Sequence, residues 1–174
     1  DTPSAEAMTA RHPDGAGLMR TLRDRRWRFS TDQVQFRNTI TLDLTLSADA
    51  LLAAMNHSTR RKIRTAEKAG VVIRPGGVDD LDLLYALYQV TGARDAFLIR
   101  PRAYYVEAWQ RFIDAGLAQP LIAEYRGRAI AHVILYTVGR TCWYMYGASA
   151  DEARDVMPTY LLQWHAIQWA QARG

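Results

Sequence analysis

Between residues 119 and 146 three apolar runs follow one another with almost no chain to spare: Gln119 to Tyr125, Ala129 to Val138, and Thr141 to Tyr146. The links between them are Arg126-Gly127-Arg128 and Gly139-Arg140. A crossover to a parallel neighbour takes a dozen or more residues, so links this short force each strand to turn back on the one before. The chain is therefore expected to hold a three-stranded antiparallel meander, and its other segments must pack around that sheet.

Those segments are legible from capping residues and apolar spacing. Val34 to Leu44 alternates apolar and polar residues, the pattern of a half-buried strand. Ser47 is placed to cap a helix over Ala48 to Met55, and Ser58 to cap a basic helix ending near Gly70. Val71-Val72-Ile73 reads as a short strand closed by Pro75-Gly76-Gly77. Asp79 and Asp80 open a helix whose apolar face includes Leu81, Leu84, Leu87 and Tyr88, with Gly92 as its expected end. A loop, Arg94 to Arg100, leads to a Pro101-initiated helix containing Tyr104, Tyr105, Trp109 and Phe112. The last helix runs from Pro158 to Arg173, and a further strand is expected after it. Residues 1 to 14 read as a tail, followed by a short basic helix from Gly17. The order predicts an α/β (α+β) fold, with helices on a mixed, mainly antiparallel sheet.

Size and composition narrow the function classes. With 174 residues, 49% hydrophobic and 23% charged, the chain suits one globular domain in a piece of a larger protein. No apolar run is long enough for a transmembrane helix, and the first thirty residues lack the order of a signal peptide. One cysteine, Cys142, permits no internal disulfide, which points to the cytoplasm. His12, His57, His132 and His165 lack partners at ligand spacing, so no metal is expected. Without a Walker loop, nucleophile elbow or dinucleotide fingerprint, no cofactor is expected either.

The net charge of +4 is unevenly spread. Arg60, Arg61, Lys62, Arg64, Lys68 and Arg74 lie in one stretch against Glu67 alone, a pattern for phosphates, an anionic membrane, or plain solvation. The segment TGARDAFLIRPRAYY crowds arginines and phenols between two helices. Arg94 and Asp95 are expected to satisfy each other as a structural ion pair, while Arg100 and Tyr104, four apart, can face one ligand. In YMYGAS, strand alternation sets Tyr144 and Tyr146 on one face. Tyr144 is then the core residue, and Tyr146 opens toward Gly147 and a ligand.

These stretches resemble the FemABX family. The similarity lies in STRRKIRTAEKAGVVIR, LYQVTGARDAFLIRPRAYY, LIAEYRGRAIAHVILY, YMYGASADEARDVMPTYLLQWHAIQWAQARG and VQFRNTITLDL, which occur in the family's order. The resemblance implies two GNAT-like domains in tandem, with residues 1–33 a remnant of the first and 34–174 most of the second. It implies transfer of an amino acid from charged tRNA to a stem-peptide amine of a peptidoglycan precursor, either UDP-MurNAc-pentapeptide or its lipid-linked form. Arg100, Tyr104 and either Tyr146 or Tyr144 match the family's precursor groove, with Tyr146 favoured. Arg61, Lys62 and Arg64 become contacts for tRNA phosphates, and peripheral membrane association is an allied expectation. No catalytic base stands out; Asp95 is the available carboxylate. The alternatives are an acetyl-CoA-dependent GNAT N-acyltransferase, whose Gly-x-Gly turn this chain lacks, and a non-catalytic module that binds tRNA or anionic membrane.

Overall fold

The computed structural model describes residues 13–30, 32 and 39–174. The chain divides into two units, residues 1–42 and 43–174. In the first, helix α1 spans Pro13–Asp24, and the Thr21 hydroxyl donates to the Gly17 carbonyl four residues back. The strand expected over Val34 to Leu44 lies outside the described residues as far as Asn38. From Thr39 to Leu44 the chain is irregular.

The second unit starts with two short helices. Helix α2 (Ala48–Ala54) is capped by Ser47, whose hydroxyl accepts the Ala50 N–H. Helix α3 (His57–Ala69) is capped by Asn56, not by Ser58. The Asn56 carboxamide oxygen takes the Thr59 N–H at 2.8 Å, and Ser58 is already inside the first turn. Strand β1 (Val72–Pro75) and a 3₁₀ turn at Val78–Asp80 lead to α4 (Leu81–Asp95) and α5 (Arg102–Asp114). Then come β2 (Ala118–Tyr125), β3 (Arg128–Val138), β4 (Thr141–Ser149), a second 3₁₀ turn at Arg154–Val156, and α6 (Pro158–Arg173).

The meander is present, and β1 extends it into a four-stranded sheet in the order β1-β2-β3-β4, each pair antiparallel. Tyr125 pairs with Arg128 and Val138 with Thr141, so each hairpin turns on two residues. Arg126 and Gly127 both take positive φ, and Gly139 does so in the second turn. These conformations match the right-handed twist of the flanking strands.

Alternation along β3 divides the core. Ala131, Val133 and Leu135 join Leu51 of α2, Ile63 of α3, and Leu161, Leu162 and Trp164 of α6. Ile134, with Ile122 of β2, joins Leu84 and Tyr85 of α4 and Tyr105 and Trp109 of α5. Truncating a fully buried member such as Leu84 costs about 2–5 kcal/mol. Arg74, the last cation of the basic stretch, is occupied: it bridges Asp80 at 2.7 Å and Glu124 at 2.6 Å, tying β1 to the start of α4 and to β2. That guanidinium, helped by the Gly77 N–H, holds the Asp80 carboxyl below its usual range.

His132 sits at the centre of β3, 1% exposed, with Nε2 3.0 Å from the Leu84 carbonyl. Burial lowers its pKa from 6.5 to about 4. The folded chain therefore keeps a neutral imidazole after the unfolded chain has taken up a proton. This contribution to stability is complete above about pH 6.5 and is lost toward pH 4, at about 1.4 kcal/mol per pH unit. Urea melts across that interval are expected to show the fall, and His132→Gln to flatten it. An unchanged slope in the variant would show that His132 is not its source.

Candidate functional site

Helix α4 does not end at Gly92. It continues to Asp95 and closes at Ala96, in the left-handed region at φ 56. Gly92 instead lets the following loop fold back onto the helix. A Cβ there would lie 3.0 Å from Ile99 Cγ2 and 3.4 Å from the Phe97 carbonyl oxygen, and the Phe97 N–H donates to the Gly92 carbonyl. The loop then delivers Arg100 between two core phenols. The Tyr85 hydroxyl donates to the Arg100 carbonyl, and the Tyr105 hydroxyl accepts the Arg100 N–H, both at 3.3 Å. With its backbone pinned, Arg100 stacks its guanidinium over the Tyr104 ring, 4.7 Å from the centroid. Among the described residues no carboxylate pairs with it. Its neighbours differ: Arg94 binds Asp95, Asp151 and the Ser149 carbonyl, and Arg102 binds Asp82.

Beside Arg100 lies a cluster of phenols. Tyr88 of α4, whose helical spacing predicts only core packing, meets Tyr105, Tyr146 and Trp109 edge to face, with ring centres 5.2 to 6.2 Å apart, and also touches Phe97 of the loop. Burial and the nearby oxygens of Tyr105 and Tyr146 raise its pKa to about 12. Tyr136 is raised to about 12 as well, and Tyr146 is raised by burial. These phenols keep their protons at neutral pH and can donate to an anion. Tyr85, Tyr88 and Tyr105 occupy ordinary helix-face positions, so spacing alone gave no sign of a role beyond packing.

The expectation that Tyr144 and Tyr146 share a face is overturned. Tyr146 stands opposite Ile134 and Tyr144 opposite the adjacent Leu135, leaving Met145 as an unpaired bulge. An extra residue breaks the alternation, so the two phenols point to opposite faces. The burial assignment reverses too. Tyr146 packs among Tyr88, Tyr105, Trp109 and Tyr136, whereas Tyr144 is 56% exposed. Arg100, Tyr104 and Tyr146 are thus gathered on one side of the sheet, and Tyr144 is separated from them.

Tyr144 folds over Gly147, where a Cβ would lie 1.8 Å from its hydroxyl. There it helps line a cavity of about 220 Å³ beside the exposed edge of β4, together with Thr91, Asp95, Ser149, Thr159 and Gln163. Thr91 and Arg94 of α4 bind the outward backbone groups of Ser149: the Ser149 N–H donates to Thr91 Oγ1 at 3.0 Å, and its carbonyl accepts from Arg94 at 2.8 Å. Among the described residues no group of three or more His, Cys, Asp or Glu is arranged to hold a metal.

The basic helix also sorts its cations. Arg60 donates to the Ala53 and Met55 carbonyls. Lys62 is withdrawn from the outer surface, since its ammonium donates to the Tyr160 hydroxyl at 2.7 Å and lies over the same ring. Arg61, Arg64 and Lys68 remain exposed, at i, i+3 and i+7 on one stripe.

Residues 53–174 match the acetyltransferase (GNAT) domain family. The chain belongs to this family. The GNAT chain is 21% identical over 206 residues to the lipid II:glycine glycyltransferase of Staphylococcus saprophyticus, and 21% identical over 211 residues to that of Staphylococcus aureus. Each match takes in 83% of this chain and 50% of the relative, so the chain spans about half the length of the curated relatives it matches. The crystal structure of FemX superposes with a TM-score of 0.71 at 18% identity, over 75% of this chain and 49% of FemX. The fold is a FemABX-like version of GNAT.

An Ala at an interior helix glycine ordinarily stabilises by about 1 kcal/mol. Gly92→Ala is expected to do the reverse, lowering stability by about 1–3 kcal/mol as its methyl meets Ile99. Urea unfolding measures the sign, and a gain in stability would contradict the close approach.

Proposed function

We propose that this GNAT domain holds the precursor in an aminoacyltransferase that moves an amino acid from charged tRNA to a stem-peptide amine of a peptidoglycan precursor. The observation carrying the reading is Arg100, a backbone-pinned guanidinium without a carboxylate partner among the described residues, stacked on Tyr104 beside protonated phenols. The precursor carries a diphosphate and carboxylates, which suit a planar cation and phenolic donors. Arg100, Tyr104 and Tyr146 are the proposed precursor ligands. Tyr144 is assigned to the donor side, where the cavity beside β4 has the scale and polarity for an aminoacyl ester. The domain is proposed as the second of two in tandem, residues 34–174, acting in the cytoplasm.

In the reaction the acceptor amine forms a C–N bond to the aminoacyl carbonyl as the ester C–O bond breaks, and the amine's proton ends on the released ribose hydroxyl. Positioning and charge stabilisation supply most of what such a transfer needs. Asp95, held by Arg94 at 3.0 Å, borders the cavity as an electrostatic neighbour and is not assigned as the base. The exposed stripe Arg61, Arg64 and Lys68 is the proposed contact for tRNA phosphates, with Lys62 replaced in that role by Lys68.

An acetyl-CoA enzyme is the weaker reading. The segment before α6 carries Asp151, Glu152 and Asp155 against Arg154, and Pro158 removes an amide at the helix start. Carboxylates and a missing N–H disfavour a pyrophosphate there. Micromolar binding of CoA by calorimetry would reverse the ranking.

In the whole protein, supplied with charged tRNA and precursor, Arg100→Ala is expected to raise KM for the precursor about 10- to 100-fold, equivalent to losing about 1.4–2.8 kcal/mol of charge-assisted binding. Replacing Arg61, Arg64 and Lys68 by Ala is expected to flatten the log–log salt dependence of tRNA binding, the slope falling by about 0.7–0.9 for each phosphate no longer neutralised. Mass spectrometry that finds no extended stem peptide with either form of the precursor would end the reading.

A further inference from the structure

The end of the sheet that carries the β3–β4 turn presents an apolar surface to solvent. Phe112 of α5 stacks on Tyr136 with ring centres 4.7 Å apart. Tyr136 stands opposite Trp143, and Val138 opposite Thr141, at alternate positions that share this face of the hairpin. Phe112, Val138 and Trp143 are 39%, 58% and 43% exposed. Leu117, equally open, belongs to the same end, because its carbonyl accepts the Thr137 N–H at 2.8 Å. Along α5, Tyr104, Ala108 and Phe112 follow at intervals of four and form one stripe, so the surface runs directly into the Arg100–Tyr104 groove.

Cations surround these side chains. Arg140 occupies the hairpin turn and is exposed. Arg111 lies next to Phe112 and pairs with Glu107 at an exposed position. Arg173, at the end of α6, donates to the Gly116 carbonyl just ahead of β2. Asp114, in the last turn of α5, is the acid at that end of the helix. Trp and Tyr mixed with Arg around aliphatic residues is the composition of surfaces that sit at the headgroup level of a bilayer. A second copy of the chain is a poor occupant, because a two-fold contact would set this arginine-rimmed patch against its own copy, like charge facing like. Among the described residues no helix is long and apolar enough to cross a membrane, so contact from this surface is peripheral.

We propose that this end of the sheet rests on an anionic bilayer, with Phe112, Val138 and Trp143 at headgroup depth and Arg111, Arg140 and Arg173 against lipid phosphates. Docking in this way turns the mouth of the Arg100–Tyr104 groove toward the membrane surface. It favours a lipid-linked acceptor over a free nucleotide one, a consequence that rests on the proposed reading of the groove.

The test is co-sedimentation of the 174-residue chain with vesicles of mixed phosphatidylglycerol and phosphatidylcholine, and with phosphatidylcholine alone. Binding is expected to the anionic vesicles and to weaken with salt. Arg140→Ala should reduce it about fivefold, and Trp143→Ser with Val138→Ser at least about tenfold. Arg126→Ala, the same charge change in the β2–β3 turn at the opposite end of β3, should leave it unchanged. Thermal melts establish that each variant is folded. The docking proposal is overturned by absence of binding, by equal losses at Arg126 and Arg140, or by sedimentation velocity showing a dimer broken by Trp143→Ser. Aminoacyl transfer to soluble precursor by a protein that ignores vesicles would sink the docking and leave the groove reading intact. Vesicle binding by a protein without transferase activity would do the opposite.

Discussion

β3 is hydrogen-bonded on both edges and buried on both faces, and the second unit of the chain is built on that condition. Ala131, Val133 and Leu135 need cover from one layer, and Ile134 and His132 from the other. Helices α3 and α6 supply the first layer, α4 and α5 the second. The groove is a product of the second layer, since α4 and α5 both cross it and the loop joining them must emerge beside β4. Arg100 is fixed there because Tyr85 and Tyr105, whose rings help fill the core, still have hydroxyls that need backbone partners.

The bulge at Met145 has a comparable effect on the site. A regular β4 would have put both tyrosines on one face. The additional residue sends Tyr146 into the phenol cluster and Tyr144 across to the cavity beside α6, so one strand contributes to both sides of the sheet. The Gly147 backbone lies under Tyr144 because there is no Cβ to hold the ring away. Residues two apart in sequence thereby reach different surfaces, one beside Tyr88, Tyr105 and Trp109 and the other beside Thr91 and Gln163.

How far the sequence could be read depended on the range of the interaction concerned. The hairpins, the Ser47 cap and the start of α6 at Pro158 follow from contacts within a few residues, and they were legible. The choice of Asn56 over Ser58 was decided by which side chain reached a free N–H, a competition that composition leaves open. Gly92 was misread as a helix end because its reason for being glycine lies seven residues away, in Ile99. Among the arginines, Arg60, Arg74 and Arg102 look as available as Arg100 in the sequence, whereas Arg94 has its partner Asp95 beside it. Arg60, Arg74 and Arg102 are each occupied by a carbonyl or carboxylate brought to them by folding.

By itself, the sequence determined the antiparallel meander, the order of helices around it and the likeness to FemABX proteins. Two-residue turns, capping side chains and apolar periodicity act over short stretches of chain, so their outcome is contained in them. Only the tertiary structure decided that Arg100 stayed without a carboxylate among the described residues while Arg94 and Arg102 beside it were paired, which tyrosine was buried, and that the two tyrosines of β4 were divided between faces. Those outcomes depend on partners distant in sequence, as Lys62 and Tyr160 or Arg74 and Glu124 are, and on one bulged residue, whose position is set by pairing with β3 and not by β4 alone.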